Sequence, residues 1–97
     1  MYTINNQIKE QEPDGLQVAS FVKTDALEIL TISLEKDATF PNHTSPKDAQ
    51  LIVLEGDIDF HINQKKYNLA TYQHFNFPAD EEHWVKANEN SKFLIIR

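Results

Sequence analysis

The chain has 97 residues, 40% of them hydrophobic and 10% aromatic, with nine Lys and Arg against fifteen Asp and Glu and no cysteine. That is one domain, of a size that buries only about 60–65% of the surface its unfolded chain exposes, with no disulfide or thiolate metal site to add stability. A formal net charge of −6 without any basic cluster argues against nucleic acid and anionic membrane surfaces as partners.

Met1 to Glu12 is polar and mixed in charge, unlike a leader peptide, and no run approaches the ~20 apolar residues of a membrane span. The expected location is the cytoplasm, with which the lack of cysteine agrees. Ile4 to Glu12 has room for a helical turn. After the turn-forming Pro13-Asp14-Gly15, Leu16 to Val22 is apolar on both faces, and Lys23-Thr24-Asp25 ends it. From Leu27 to Leu34 the pattern settles into alternation: Leu30, Ile32 and Leu34 share one face, Thr31 and Ser33 the other. Period two predicts a strand. Phe40 to Pro46 carries two prolines and is excluded as a central strand along its whole length.

Leu51-Ile52-Val53-Leu54 is short, partly β-branched and apolar at every position, which predicts a strand buried on both faces. In a two-layer sandwich the outer face of such a strand needs a cover, and a second copy of the chain is the simplest one. A homodimer is therefore expected. Glu55-Gly56-Asp57 turns the chain into Ile58, Phe60 and Ile62, which alternate with Asp57, Asp59 and His61; Asn63-Gln64 turns it again into Lys66 to Leu69. His74 to Phe77, Trp84 to Ala87 and Lys92 to Arg97 complete about eight short strands. Their spacing predicts an all-β sandwich or barrel.

Two segments, together with this strand order, resemble the paired motifs of the cupin superfamily. The first motif, about residues 40–56, has His43 and Gly56 at the family's separation, with Leu51 to Leu54 and a Leu-Glu-Gly ending between them. The second, about residues 72–87, has Pro78 and His83 at the family's spacing. The resemblance runs from about Leu27 to Arg97. It implies a single domain over residues 1–97 with a double-stranded β-helix, or jelly-roll, barrel. It also implies that His43 and His83 converge inside that barrel. Family enzymes hold a metal with three histidines and a glutamate, but Ser45 and Ala49 stand at two of those four positions here. Tyr72, Asp80 and Ala87 likewise replace the second motif's two glycines and its asparagine.

The expected site is therefore a pocket lined by His43, Ser45, Gln50, His74 and His83. His43 and His83 are an incomplete ligand set for a divalent transition metal, and no cofactor is favoured, because two neutral imidazoles without an anionic ligand hold such an ion weakly. Asp48, next to Ala49, points to the opposite face if the strand is regular. His61 shares the outer face with Asp57 and Asp59, where nothing raises a carboxyl pKa for acid catalysis. Asp80-Glu81-Glu82 is expected as a solvated loop at the barrel mouth, placed to repel anions. Most of the aromatics from Phe60 onward are expected in the core or a dimer interface. Three readings of function stand side by side: a non-catalytic cupin binding a small ligand or partner, a metal-dependent dioxygenase or isomerase using His43 and His83, and a carbohydrate-binding or sensing module.

Overall fold

In the computed structural model, which describes Met1 to Arg97, a short helix α1 (Gln7–Glu10) precedes nine strands. These are β1 (Leu16–Lys23), β2 (Glu28–Leu34), β3 (Thr39–His43), β4 (Ala49–Glu55), β5 (Asp57–Ile62), β6 (Lys65–Ala70), β7 (His74–Phe77), β8 (His83–Ala87) and β9 (Ser91–Ile96). One sheet has the order β1-β2-β9-β4-β7 and the other β3-β8-β5-β6. Every pairing is antiparallel. The chain changes sheet at most of its connections from β2 onward, so the two layers close around one core as a β-sandwich. No helix is long and apolar enough to cross a membrane.

The strand absent from the sequence reading is β3. It tolerates Pro41 because it lies at the edge of its sheet, paired only with β8, and its register shifts between Phe40 and His43. A proline at an edge bulge removes no ladder hydrogen bond from a central strand.

Alternation decides which side chains enter the space between the sheets. On β4, Ala49, Leu51 and Val53 are at most 1% exposed, while Ile52 and Leu54 on the outer face are only half-buried. The run expected to be buried on both faces is thus closed on one side and partly open on the other. Ile52 pairs with Leu94 on β9, and Leu94 pairs with Thr31 on β2. The N-terminal segment lies over part of this outer face. Gln11 Nε2 donates to the carbonyls of Gln17 and Thr31 (3.2 and 3.0 Å), Gln7 Nε2 donates to Ser20 O (2.9 Å), and Lys92 Nζ donates to Ile8 O (2.6 Å). Thr31 and Ser33 are fully buried although they face away from the core.

At the β4–β5 turn Gly56 has φ +91°, and a Cβ there would lie 2.5 Å from the Asn90 carbonyl oxygen. The crowding comes from Ser91, whose Oγ accepts from Asp57 N (3.0 Å) and donates to Glu89 O (2.7 Å). Both the dihedral and the space exclude a side chain. Gly56→Ala should therefore lower unfolding stability by about 2–4 kcal/mol, from backbone strain and overpacking together, as measured by urea denaturation.

Candidate functional site

A cavity of about 170 Å³ lies between the sheets. Its apolar wall includes Ile32, Phe60, Phe77, Val85, Phe93 and Ile95, and its polar residues are His43, Thr44, Ser45, His83 and Arg97. His43 closes β3 and His83 opens β8, and the two are directly paired across the ladder. Their rings meet edge to face at 4.2 Å between centroids. Aromatic neighbours hold both in place: Phe40 stacks on His43 at 4.1 Å, and Phe60 and Phe77 lie 5.1 and 4.6 Å from His83.

Each imidazole is oriented by a carbonyl two residues earlier. His43 Nδ1 lies 2.6 Å from Pro41 O, and His83 Nδ1 lies 3.0 Å from Glu81 O. A carbonyl only accepts, so in the neutral rings the proton sits on Nδ1 and Nε2 is left with a lone pair. Neither Nε2 bonds to another protein group. Burial is the main cause that holds His83 below the ordinary histidine pKa; the neighbouring His43 lowers it further, against the opposing hydrogen bond to Glu81. The cavity thus presents hydrogen-bond acceptors where a protonated imidazole would present donors.

Ser45 is 2% exposed. Its Oγ donates to Lys47 O at 2.6 Å and accepts from Arg97 Nη1 at 3.2 Å. Its carbonyl accepts from Asp80 N at 2.9 Å, which ties together the two loops that carry the histidines. Tyr72 and Asp80, which replace the two glycines of the second motif, have φ values of +70° and +64°. The left-handed backbone that favours glycine is retained without the glycine, and this supports the alignment of the motif onto the chain.

The structure corrects three expectations about the site. Gln50 and His74 do not line the cavity; they hydrogen-bond to each other and are exposed. Gln50 lies between the buried Ala49 and Leu51, and His74 precedes the inward Phe75 and Phe77, so alternation turns both outward. The loop Asp80 to Glu82 does not guard the cavity. Its side chains border a separate, open cleft with His61, Lys65, Lys66 and Trp84. The third correction is Arg97, which the sequence reading left out. It continues the inward series Phe93, Ile95, and that series was masked by the unbroken apolar run Phe93 to Ile96.

The carboxylates weighed for acid or metal chemistry, Asp48, Asp57 and Asp59, have local partners. Asp48 Oδ1 accepts from Ala79 N at 2.8 Å. Asn68 Nδ2 bridges Asp57 and Asp59 at 2.8 and 3.0 Å. Burial works to raise the Asp59 pKa, but the amides of Asn68 and Asn88 together with nearby Lys66 and His61 outweigh it and hold the carboxyl below its ordinary value. A carboxylate held in its ionised form is no general acid.

The metal that the motif resemblance implies does not fit these residues. No group of three or more His, Cys, Asp or Glu side chains converges anywhere in the chain. The hydroxyl at the position of the family's second histidine is engaged by Lys47 and Arg97. A guanidinium lining the same cavity opposes any cation there.

Because His83 has a lower pKa folded than unfolded, the unfolded chain binds more protons once the pH drops below about 6.5. Stability contributed by neutral His83 is present above that pH and is lost as acid is added. Urea midpoints should fall between pH 7 and pH 5, and the fall should be shallower in His83→Gln. An unchanged slope in the variant would contradict the burial assigned to this ring.

No protein-family model matches the sequence, and no curated protein does. Solved structures do. The conserved protein SPY1581 of unknown function from Streptococcus pyogenes is 30% identical, over 88% of this chain and 75% of that one, with a TM-score of 0.77. An RmlC-like cupin protein from Desulfovibrio desulfuricans matches over 99% of this chain and 95% of that one at 16% identity, with a TM-score of 0.85. The DMSP lyase DddQ from Ruegeria pomeroyi is 15% identical over 86% of this chain and 46% of that one, with a TM-score of 0.79. The chain is thus a relative of the streptococcal protein, and its fold is that of the small cupin proteins.

Proposed function

We propose that this protein is a non-catalytic cupin that binds a small molecule in its barrel cavity. The observation that carries this reading is the cavity itself. It is walled by aromatic and branched side chains, its two imidazoles are oriented to accept hydrogen bonds, and no carboxylate is available to complete a metal site. An apolar pocket with a few convergent polar groups is the common form of a small-molecule site. At about 170 Å³ it is comparable to cavities that admit a benzene ring.

Benzyl alcohol, an apolar ring with one hydroxyl donor, is a suitable probe. It should shift the amide resonances of Phe60, Val85 and Ile95 in a saturable titration, and Val85→Trp should abolish the effect by filling the cavity. Protein purified without an affinity tag should contain far less than one equivalent of transition metal. Stoichiometric iron, manganese, nickel or zinc, lost in His43→Ala, would replace the binding reading with that of a metal-dependent enzyme.

The working form we propose is a homodimer. Support comes from the half-buried Ile52, Leu54, Leu94 and Ile96 on the outer face of the five-stranded sheet, two adjacent strands that present apolar side chains beside the N-terminal segment. Sedimentation equilibrium should give a mass near twice 11.2 kDa, and Leu94→Asp should return it to the monomer. A wild-type monomer at micromolar concentration would rule the dimer out.

A further inference from the structure

We infer that the cavity ligand is a small monocarboxylic acid, its carboxylate held by Arg97 and its apolar body packed among Phe60, Phe77 and Phe93. This rests on the binding reading above and adds the ligand's charge and class.

The first support is that Arg97 does not have the Glu28 carboxylate to itself. Glu28 is shared between two cations: its Oε1 accepts from Arg97 Nε at 2.7 Å, and its Oε2 pairs with Lys23 Nζ at 2.9 Å. The Glu28 carboxyl is held at a pKa of about 2, first by the hydrogen bond from Lys23 and then by that from Arg97, so it carries a single negative charge at neutral pH. Arg97 therefore shares its carboxylate partner with a second cation. No Asp or Glu side chain lines the cavity.

The second is the unused hydrogen-bonding capacity of the guanidinium. A guanidinium has five N–H donors in a planar fork. Arg97 spends Nε on Glu28 and one Nη1 hydrogen on Ser45 Oγ. The Nη2 group makes no hydrogen bond to the protein, so guanidinium donors remain for a carboxylate. The Arg97 side chain is only 19% exposed, so an anion placed there is screened less than at an open surface.

The third is how the cation is fixed. Arg97 N donates to Glu28 O and Glu28 N donates to Arg97 O, at 2.9 and 2.8 Å, which extends the β2–β9 ladder by one pair. Arg97 is therefore held by backbone and side chain together, and its direction follows from the same alternation that turns Phe93 and Ile95 inward. In a barrel whose relatives by motif place a metal cation, this chain places a guanidinium on Ser45, at the position of a lost ligand. A single guanidinium and a cavity of about 170 Å³ select a monoanion with a body the size of a ring or a branched chain. A polyphosphate or a sugar acid lined with hydroxyls would leave its polar groups against the aromatic wall.

The experiment compares benzoate, benzyl alcohol and benzylamine on the full chain by amide resonance titration. Benzoate should bind at least about tenfold more tightly than benzyl alcohol, the gain of a charge-assisted over a neutral hydrogen bond, and benzylamine should not bind. In Arg97→Gln the benzoate advantage should vanish while benzyl alcohol binding is kept. Arg97→Lys, which retains the charge but not the fork, should keep part of the advantage. If Arg97→Gln does not fold, the wild-type comparison still decides. Benzoate binding no tighter than benzyl alcohol, or benzylamine binding as well as benzoate, overturns the acid proposal and leaves the cavity reading intact. Failure of both benzoate and benzyl alcohol to perturb the cavity residues overturns both.

Discussion

The structure depends on the register of β9 between β2 and β4. Ile32 opposes Phe93 on one side and Val53 opposes it on the other; Leu30 and Leu51 flank Ile95 in the same way. This central strand sends Phe93, Ile95 and then Arg97 toward the opposite sheet. A slip of one residue would bring Lys92, Leu94 and Ile96 inward and turn every one of those side chains out. The apolar wall of the cavity and its one cation are thus consequences of a single pairing. The close fit of Gly56 against Asn90 and Ser91, at the start of β9, helps fix it.

Against that wall the facing sheet contributes Phe60, Val85, His43 and His83. The two imidazoles come from segments 40 residues apart, but the β3–β8 ladder sets them opposite each other. Each is turned by a carbonyl of its own loop, and the loops are joined through Ser45 and Asp80. The order of dependence runs from strand pairing to loop geometry to tautomer. The polar end of the cavity therefore has defined chemistry: acceptors at Nε2 and donors at the guanidinium, with no anion of its own.

This arrangement differs in kind from the metal centre that the motif spacing brings to mind. A three-histidine, one-carboxylate site concentrates negative and lone-pair character around a cation. Here half of that set is missing, and the remaining imidazoles share their space with a positive side chain. In the function proposed above, the same barrel takes anionic or neutral guests. Fold alone does not decide this; the streptococcal protein of unknown function and the DMSP lyase share the architecture.

The sequence by itself determined the all-β class, the turns and most strands, because alternation in segments such as Leu30 to Leu34 and Ile58 to Ile62 is a direct record of two-faced burial. It also determined that His43 and His83 belong together, through motif spacing that the positive φ of Tyr72 and Asp80 later matched. It could not place Gln50 and His74, since a polar residue beside an apolar one leaves its face undecided until the strand's partner and register are known. It hid β3 behind Pro41, because whether a proline is tolerated depends on the strand being at an edge. Only the tertiary structure revealed Arg97 as part of the cavity. Its approach to Ser45 joins residues 52 positions apart, and no local pattern encodes which side chain will fill the place of a missing ligand.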